Sequence, residues 1–88
     1  MILPKAYEIR ITRRAEKDIK NLSQKLREKL FEILTGVICK NPYEGKKLLG
    51  DLRGSYSYRL SFQDRIVYSI DDSKRIVYVE RARTHYGD

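Results

Sequence analysis

The apolar pattern of this 88-residue chain changes period part-way along, and that change limits the folds open to it. Tyr7-Glu8-Ile9-Arg10-Ile11 alternates apolar with charged residues, as a half-buried strand does. Apolar residues then recur at helical spacing. Ala15, Ile19 and Leu22 follow the capping hydroxyl of Thr12, and Leu26, Leu30, Ile33, Leu34, Val37 and Ile38 follow that of Ser23. Asn41-Pro42 ends the second helix, because a residue before proline is pushed out of helical conformation. A basic, glycine-punctuated connection runs from Gly45 to Gly54. Alternation then returns in three runs, near Ser55–Phe62, Arg65–Ile70 and Arg75–Arg83, the last two separated by the polar turn Asp71-Asp72-Ser73-Lys74. Arg-Ile-Val-Tyr occurs in both of those runs, at Arg65–Tyr68 and Arg75–Tyr78, a spacing that fits facing strands and is too short for a domain repeat. The order strand, helix, helix, strand, strand, strand predicts one α+β domain spanning 1–88. In it a two-helix hairpin packs on one face of an antiparallel sheet (β-α-α-β-β-β).

Side-chain parity assigns the faces of the sheet. Tyr56, Tyr58, Leu60 and Phe62 share one side of their strand, and Ser57, Arg59 and Ser61 share the other. A two-residue turn at Gln63-Asp64 would put Arg65 on the apolar side. A three-residue turn pairs Leu60 with Ile66 and brings the apolar sides together. With Ile70 opposite Arg75, Val67 faces Tyr78 and Arg65 faces Glu80. The helices are then expected to cover the apolar face, leaving Arg59, Arg65, Tyr78 and Glu80 among small serines on the open one.

Charge says what such a face can meet. Lys and Arg number 19 against 12 Asp and Glu, a formal +7, which points to a polyanionic partner. The single cysteine, Cys39, excludes an internal disulfide framework and a Cys-based zinc site. The single histidine, His85, excludes a multi-histidine metal centre. No apolar run reaches the ~20 residues of a membrane span, and no stretch near Met1 resembles a secretory signal, so the expectation is a cytoplasmic protein with no membrane partner. Arginines beside an aromatic, with short side chains between, suit phosphates and stacked bases. The same residues also fit a solvated face with an Arg65–Glu80 cross-strand pair worth a few tenths to ~1 kcal/mol. Taken alone, Glu44 is a loop carboxylate, Cys39 is a core position at an apolar helix end, and His85 is a lone imidazole among cations that favour its neutral form.

Three blocks in order resemble the RelE superfamily of toxins from bacterial type II toxin–antitoxin systems, and within it the YoeB/Txe-like branch. Asn41-Pro42-Tyr43-Glu44-Gly45-Lys46-Lys47-Leu48 is similar to its Pro-aromatic-Glu-Gly loop. Ser57-Tyr58-Arg59-Leu60 with Asp64-Arg65-Ile66-Val67-Tyr68 is similar to its paired strands, and Thr84-His85-Tyr86-Gly87-Asp88 to its C-terminal His-Tyr. The resemblance covers nearly the whole chain. It implies a ribosome-dependent, metal-independent mRNA endoribonuclease without a cofactor. Such a toxin acts on mRNA in the ribosomal A site, beside rRNA, and is neutralised by a cognate antitoxin protein. It also implies roles: Glu44 as general base, Arg65 as ligand of the phosphate or transition state, His85 as general acid, and Tyr86 as the group that positions or stacks the substrate. Arg59 would support the phosphate, and Lys46, Lys47, Arg81 and Arg83 would share the basic work. Strict alternation from Glu80 sends Tyr86 to the Arg65 face and His85 to the other, so uniting them requires a bulge or bend near the C-terminus. Two rival functions remain. One is a non-catalytic toxin of the ParE type, with the same fold, acting on DNA gyrase. The other is a basic RNA-binding module without chemistry. Glu44, Arg65, His85 and Tyr86 together favour the nuclease.

Overall fold

Alternation and helical spacing both carry through to three dimensions in the structure, a computed structural model that describes residues 6–50 and 54–84. Strand β1 (Glu8–Ile11) leads directly into helix α1 (Arg13–Lys20). Thr12 Oγ1 accepts the Ala15 N–H at 3.2 Å, supplying one of the acceptors a helix N-terminus lacks. Ser23 does the same for α2 (Gln24–Ile33), its Oγ accepting the Leu26 N–H at 3.2 Å. The helix then widens into a π-helical segment, Leu34–Ile38, in which the Cys39 N–H reaches back five residues to the Leu34 carbonyl at 2.9 Å. The Thr35 hydroxyl donates to the Phe31 carbonyl at 2.8 Å, a back-bond of the kind that bends helices.

The remaining elements are a single 3₁₀ turn, Pro42–Glu44, and strands β2 (Lys46–Lys47), β3 (Ser55–Arg59), β4 (Asp64–Asp71) and β5 (Ile76–Thr84). The sheet order is β1-β5-β4-β3-β2. β3 to β5 are antiparallel, as expected; β2, inside the stretch read as a connection, adds antiparallel to β3, and β1 joins the far edge parallel to β5, pairing Ile9 with Val77 and Ile11 with Val79. Both helices lie on one face, where Ala15, Leu30, Leu34 and Ile38 bury against Leu60, Ile66, Tyr68, Val77 and Val79. Apart from the two-residue edge strand β2, this is the β-α-α-β-β-β arrangement of an α+β domain. Among the described residues no helix is long and apolar enough to cross a membrane.

As far as Val79 the faces match the sequence reading, but the register does not. Tyr58, not Leu60, stands opposite Ile66, because Ser61 Oγ accepts the N–H groups of Gln63 and Asp64 and closes a longer loop. The shift is two residues, so each side chain keeps its face. Leu60 leaves the ladder yet drops fully into the core, whereas Phe62, expected beside it, stands 91% exposed at the loop tip. The expected Arg65–Glu80 pairing is also displaced: Arg65 faces Arg83. The β4–β5 turn extends to Arg75, which adopts a left-handed φ of 55°, and a bulge then leaves Glu80 without an opposite residue, since Tyr68 pairs with Val79 and Val67 with Arg81. Glu80 instead accepts from Ser55 Oγ at 2.9 Å.

Candidate active site

The register places three cations in one row. Arg59 on β3 stands opposite Arg65 on β4, and Arg65 stands opposite Arg83 on β5. All three are exposed on the face away from the helices, over a floor of buried Ser57 and Val67. Among the described residues none of the three lies within ion-pair distance of a carboxylate. Like charges directly opposite in a ladder oppose folding, and they also concentrate positive potential where an anion can bind. A small cavity of about 170 Å³ sits here, lined by Lys46, Ser57, Arg59 and Arg65.

A larger cleft of about 530 Å³ adjoins it and shares Lys46, Ser57 and Arg59. Its other walls are Glu44, Gly45, Tyr58, and Lys29 and Ile33 from α2. The two adjoining hollows make a groove with Glu44 on the wall of one and Arg65 on the wall of the other. Glu44 is exposed at the end of the 3₁₀ turn, where Asn41 Oδ1 accepts the Tyr43 N–H at 3.3 Å. The Tyr43 hydroxyl donates to Asp72, which also accepts from Tyr7. These two phenols hold the Asp72 carboxyl below the usual carboxylate range, and in return the hydrogen bond to Asp72 raises Tyr43 to about 12. The Arg75 guanidinium lies 4.4 Å from the Tyr7 ring centroid, so the turn before β2, the chain before β1 and the β4–β5 turn form one knot.

The sequence-predicted residues divide into three groups. Glu44, Lys46, Arg59 and Arg65 come together on the groove, and Arg83 extends the row. Lys47 pairs with Tyr56, so alternation turns it to the opposite side, into a groove with Tyr43, Leu49 and Ile70. Arg81 is tied down by α1, its Nε donating to Asp18 Oδ2 at 2.8 Å. His85 and Tyr86 lie outside the described residues. Lys29 was not singled out from the sequence: nothing in α2 marks one exposed lysine from its neighbours until the hairpin sets it on the wall of the cleft that Glu44 also lines. Among the described residues no group of three or more His, Cys, Asp or Glu side chains is arranged to hold a metal ion.

Comparison with known proteins gives the family of the chain. The ParE-like toxin of type II bacterial toxin–antitoxin systems matches residues 9–87. The chain is 33% identical over 84 residues to Toxin RelE of Mycobacterium tuberculosis, covering 91% of this chain and 86% of that protein. It is similar to a chain of the M. tuberculosis RelBE2 toxin–antitoxin complex, with 28% identity, a TM-score of 0.83, and coverage of 91% of this chain and 92% of that one. It is similar also to a chain of the Staphylococcus aureus YoeB–YefM complex, with 28% identity, a TM-score of 0.74, and coverage of 91% and 98%. The chain belongs to the ParE-like toxin family of type II bacterial toxin–antitoxin systems, within the RelE/ParE/YoeB superfamily.

Proposed function

We propose that this toxin is a ribosome-dependent mRNA endoribonuclease of the YoeB/Txe-like kind. The observation that carries the reading is the Arg59–Arg65–Arg83 row opening onto a groove that ends at Glu44. A gyrase-binding surface has no use for a proton acceptor beside a cationic groove, whereas cleavage of RNA by its own 2′-hydroxyl needs one, and a carboxylate can serve. Glu44 takes the proton of a ribose 2′-hydroxyl, and the 2′-oxygen forms a bond to the adjacent phosphorus. The arginines hold the extra negative charge that builds on the phosphoryl oxygens. The bond from phosphorus to the 5′-oxygen then breaks, and that oxygen receives a proton from His85. Tyr86 stacks on or orients the neighbouring base. The last two roles rest on the resemblance of Thr84–Asp88 to the family's C-terminus. The reaction as written uses side chains alone. Lys29 and Lys46 contact the flanking phosphates from the groove walls.

The partner is a cognate antitoxin, as the toxin–antitoxin complexes among the relatives suggest. An acidic segment would complement the +7 chain and cover the arginine row. The test is brief induction in cells, with mapping of mRNA ends on ribosomes and a parallel gyrase supercoiling assay. The expected result is cleavage within the A-site codon with gyrase unaffected. Intact mRNA together with inhibited supercoiling would establish the ParE-type reading instead.

A further inference from the structure

We propose that Tyr68 is a positioning residue for Glu44: its hydroxyl donates to the Pro42 carbonyl at 2.6 Å and accepts the Gly45 N–H at 3.1 Å, bracketing the turn that carries the carboxylate. The proposal rests on the reading of Glu44 as the base. Tyr68 is fully buried on β4, its ring stacked on Tyr56 with centroids 5.8 Å apart and planes 18° from parallel. It shares that strand with Arg65, so one rigid element carries the phosphate ligand and grips the loop of the base. The grip is close. A Cβ on Gly45 would lie 2.3 Å from the Tyr68 hydroxyl and 2.8 Å from the Ser57 carbonyl, which leaves glycine as the residue that lets the loop settle there. The other end of the turn has its own ties, through Asn41 and the Tyr43–Asp72 hydrogen bond. The Gly45 end has the Tyr68 hydroxyl.

Burial pushes the phenol up to about 12, outweighing the opposing effect of the Gly45 N–H, so the donor to Pro42 is retained throughout the physiological range. A tyrosine that only filled the core would matter for its ring. This one presents its single proton and a lone pair to the two backbone groups flanking Tyr43-Glu44, where a displacement of about 1 Å can change a rate by ~10²-fold.

Tyr68→Phe keeps the ring and removes the two hydrogen bonds. It is compared with wild type, Glu44→Gln and the double variant in single-turnover cleavage on programmed ribosomes, with thermal melting to verify the fold. The expected result is a fall of about tenfold or more in the saturating rate, with half-saturation unchanged because the arginine row is intact. Exchange of the Gly45 amide should accelerate as well. In the Glu44→Gln background the same substitution should change the rate by no more than about twofold, since there is no longer a base to aim. A folded Tyr68→Phe that cleaves at the wild-type rate overturns the positioning role, and so does an equal loss in both backgrounds. A fully active Glu44→Gln overturns the base assignment, and the positioning role with it. That outcome is read from the Glu44 variant alone.

Discussion

Arg59 and Arg65 stand directly opposite each other across the β3–β4 ladder, and neither lies within ion-pair distance of a carboxylate among the described residues. A sheet selected for stability alone would place opposite charges or an aromatic pair at such positions. A like-charge pair, prolonged by Arg83, is instead the arrangement expected where a phosphate completes the site.

Arg65→Ala should therefore separate function from stability. Loss of a charged transition-state contact lowers the rate by ~10²-fold or more. The melting temperature should hold or rise, because removing one of three adjacent cations relieves repulsion of a few tenths of a kcal/mol. Cleavage on programmed ribosomes and a thermal melt of the same preparation check both halves.

Asp18 occupies the place a strand neighbour would take beyond the end of β1, accepting the Ala82 N–H at 3.1 Å and the Arg81 guanidinium. Partial burial alone would raise its carboxyl, but the hydrogen bonds from Arg81 and Ala82 outweigh that and hold it below the usual range. Its stabilisation is thus present above the ordinary carboxylate pKa of about 4 and is lost as pH falls through the lower folded value. Asp18→Ala should cost about 2 kcal/mol at neutral pH, and the difference from wild type should shrink in strong acid. Urea denaturation at several pH values measures it.

The alkaline side has its own signature. Burial places the Tyr68 phenol at about 12, while an unfolded tyrosine ionises near 10. Its contribution is complete below the unfolded value and falls as pH rises toward the folded one. Tyr68→Phe should flatten that decline in part, leaving the shares of Tyr43, which the hydrogen bond to Asp72 holds at about 12, and of Tyr7, which the same carboxylate raises. Denaturation across the alkaline range reads the change in slope.

Gly45→Ala should lower both stability and activity, since its methyl group meets the Tyr68 hydroxyl and the Ser57 carbonyl and forces the Glu44 turn outward. Overpacking of this kind costs about 1–3 kcal/mol. Gly36→Ala is the contrasting variant: an added methyl there meets nothing within 4 Å, so stability should be unchanged or higher. Melting temperatures of the two, with cleavage assays, distinguish the positions.

Much of this molecule was legible because parity survives register error. The hydroxyls of Thr12 and Ser23 cap the helices that their positions suggested. Arg59 and Arg65 share the open face even though the β3–β4 pairing moved by two residues. Alternation gave no sign of the bulge at Glu80, which brings Arg81 and Arg83, rather than Ala82, to the face of Arg65; the bend expected to unite His85 with Tyr86 lies outside the described residues. Turn lengths were beyond reach of pattern alone. They depend on the Ser61 hydroxyl accepting two amides and on Arg75 taking a left-handed conformation that few non-glycine residues adopt. The edge position of β1 and the sharing of one cleft by Lys29 and Glu44 are long-range consequences of packing, for which local periodicity carries no signal. Glu44 itself stood out only through the resemblance of its loop, because one exposed carboxylate has no periodicity to betray it.

The most direct measurement of the groove's chemistry is the structure of the cut ends. Programmed ribosomes carrying a defined mRNA are treated with the toxin, and the fragments are analysed by mass spectrometry beside an mRNA bearing a single 2′-deoxy substitution at the scissile nucleotide. The expected result is an upstream fragment ending in a 2′,3′-cyclic phosphate, a downstream fragment beginning with a 5′-hydroxyl, and no cleavage of the 2′-deoxy message. Fragments bearing a 5′-phosphate, or undiminished cleavage at the 2′-deoxy position, would contradict attack by the ribose hydroxyl and remove the task assigned to Glu44.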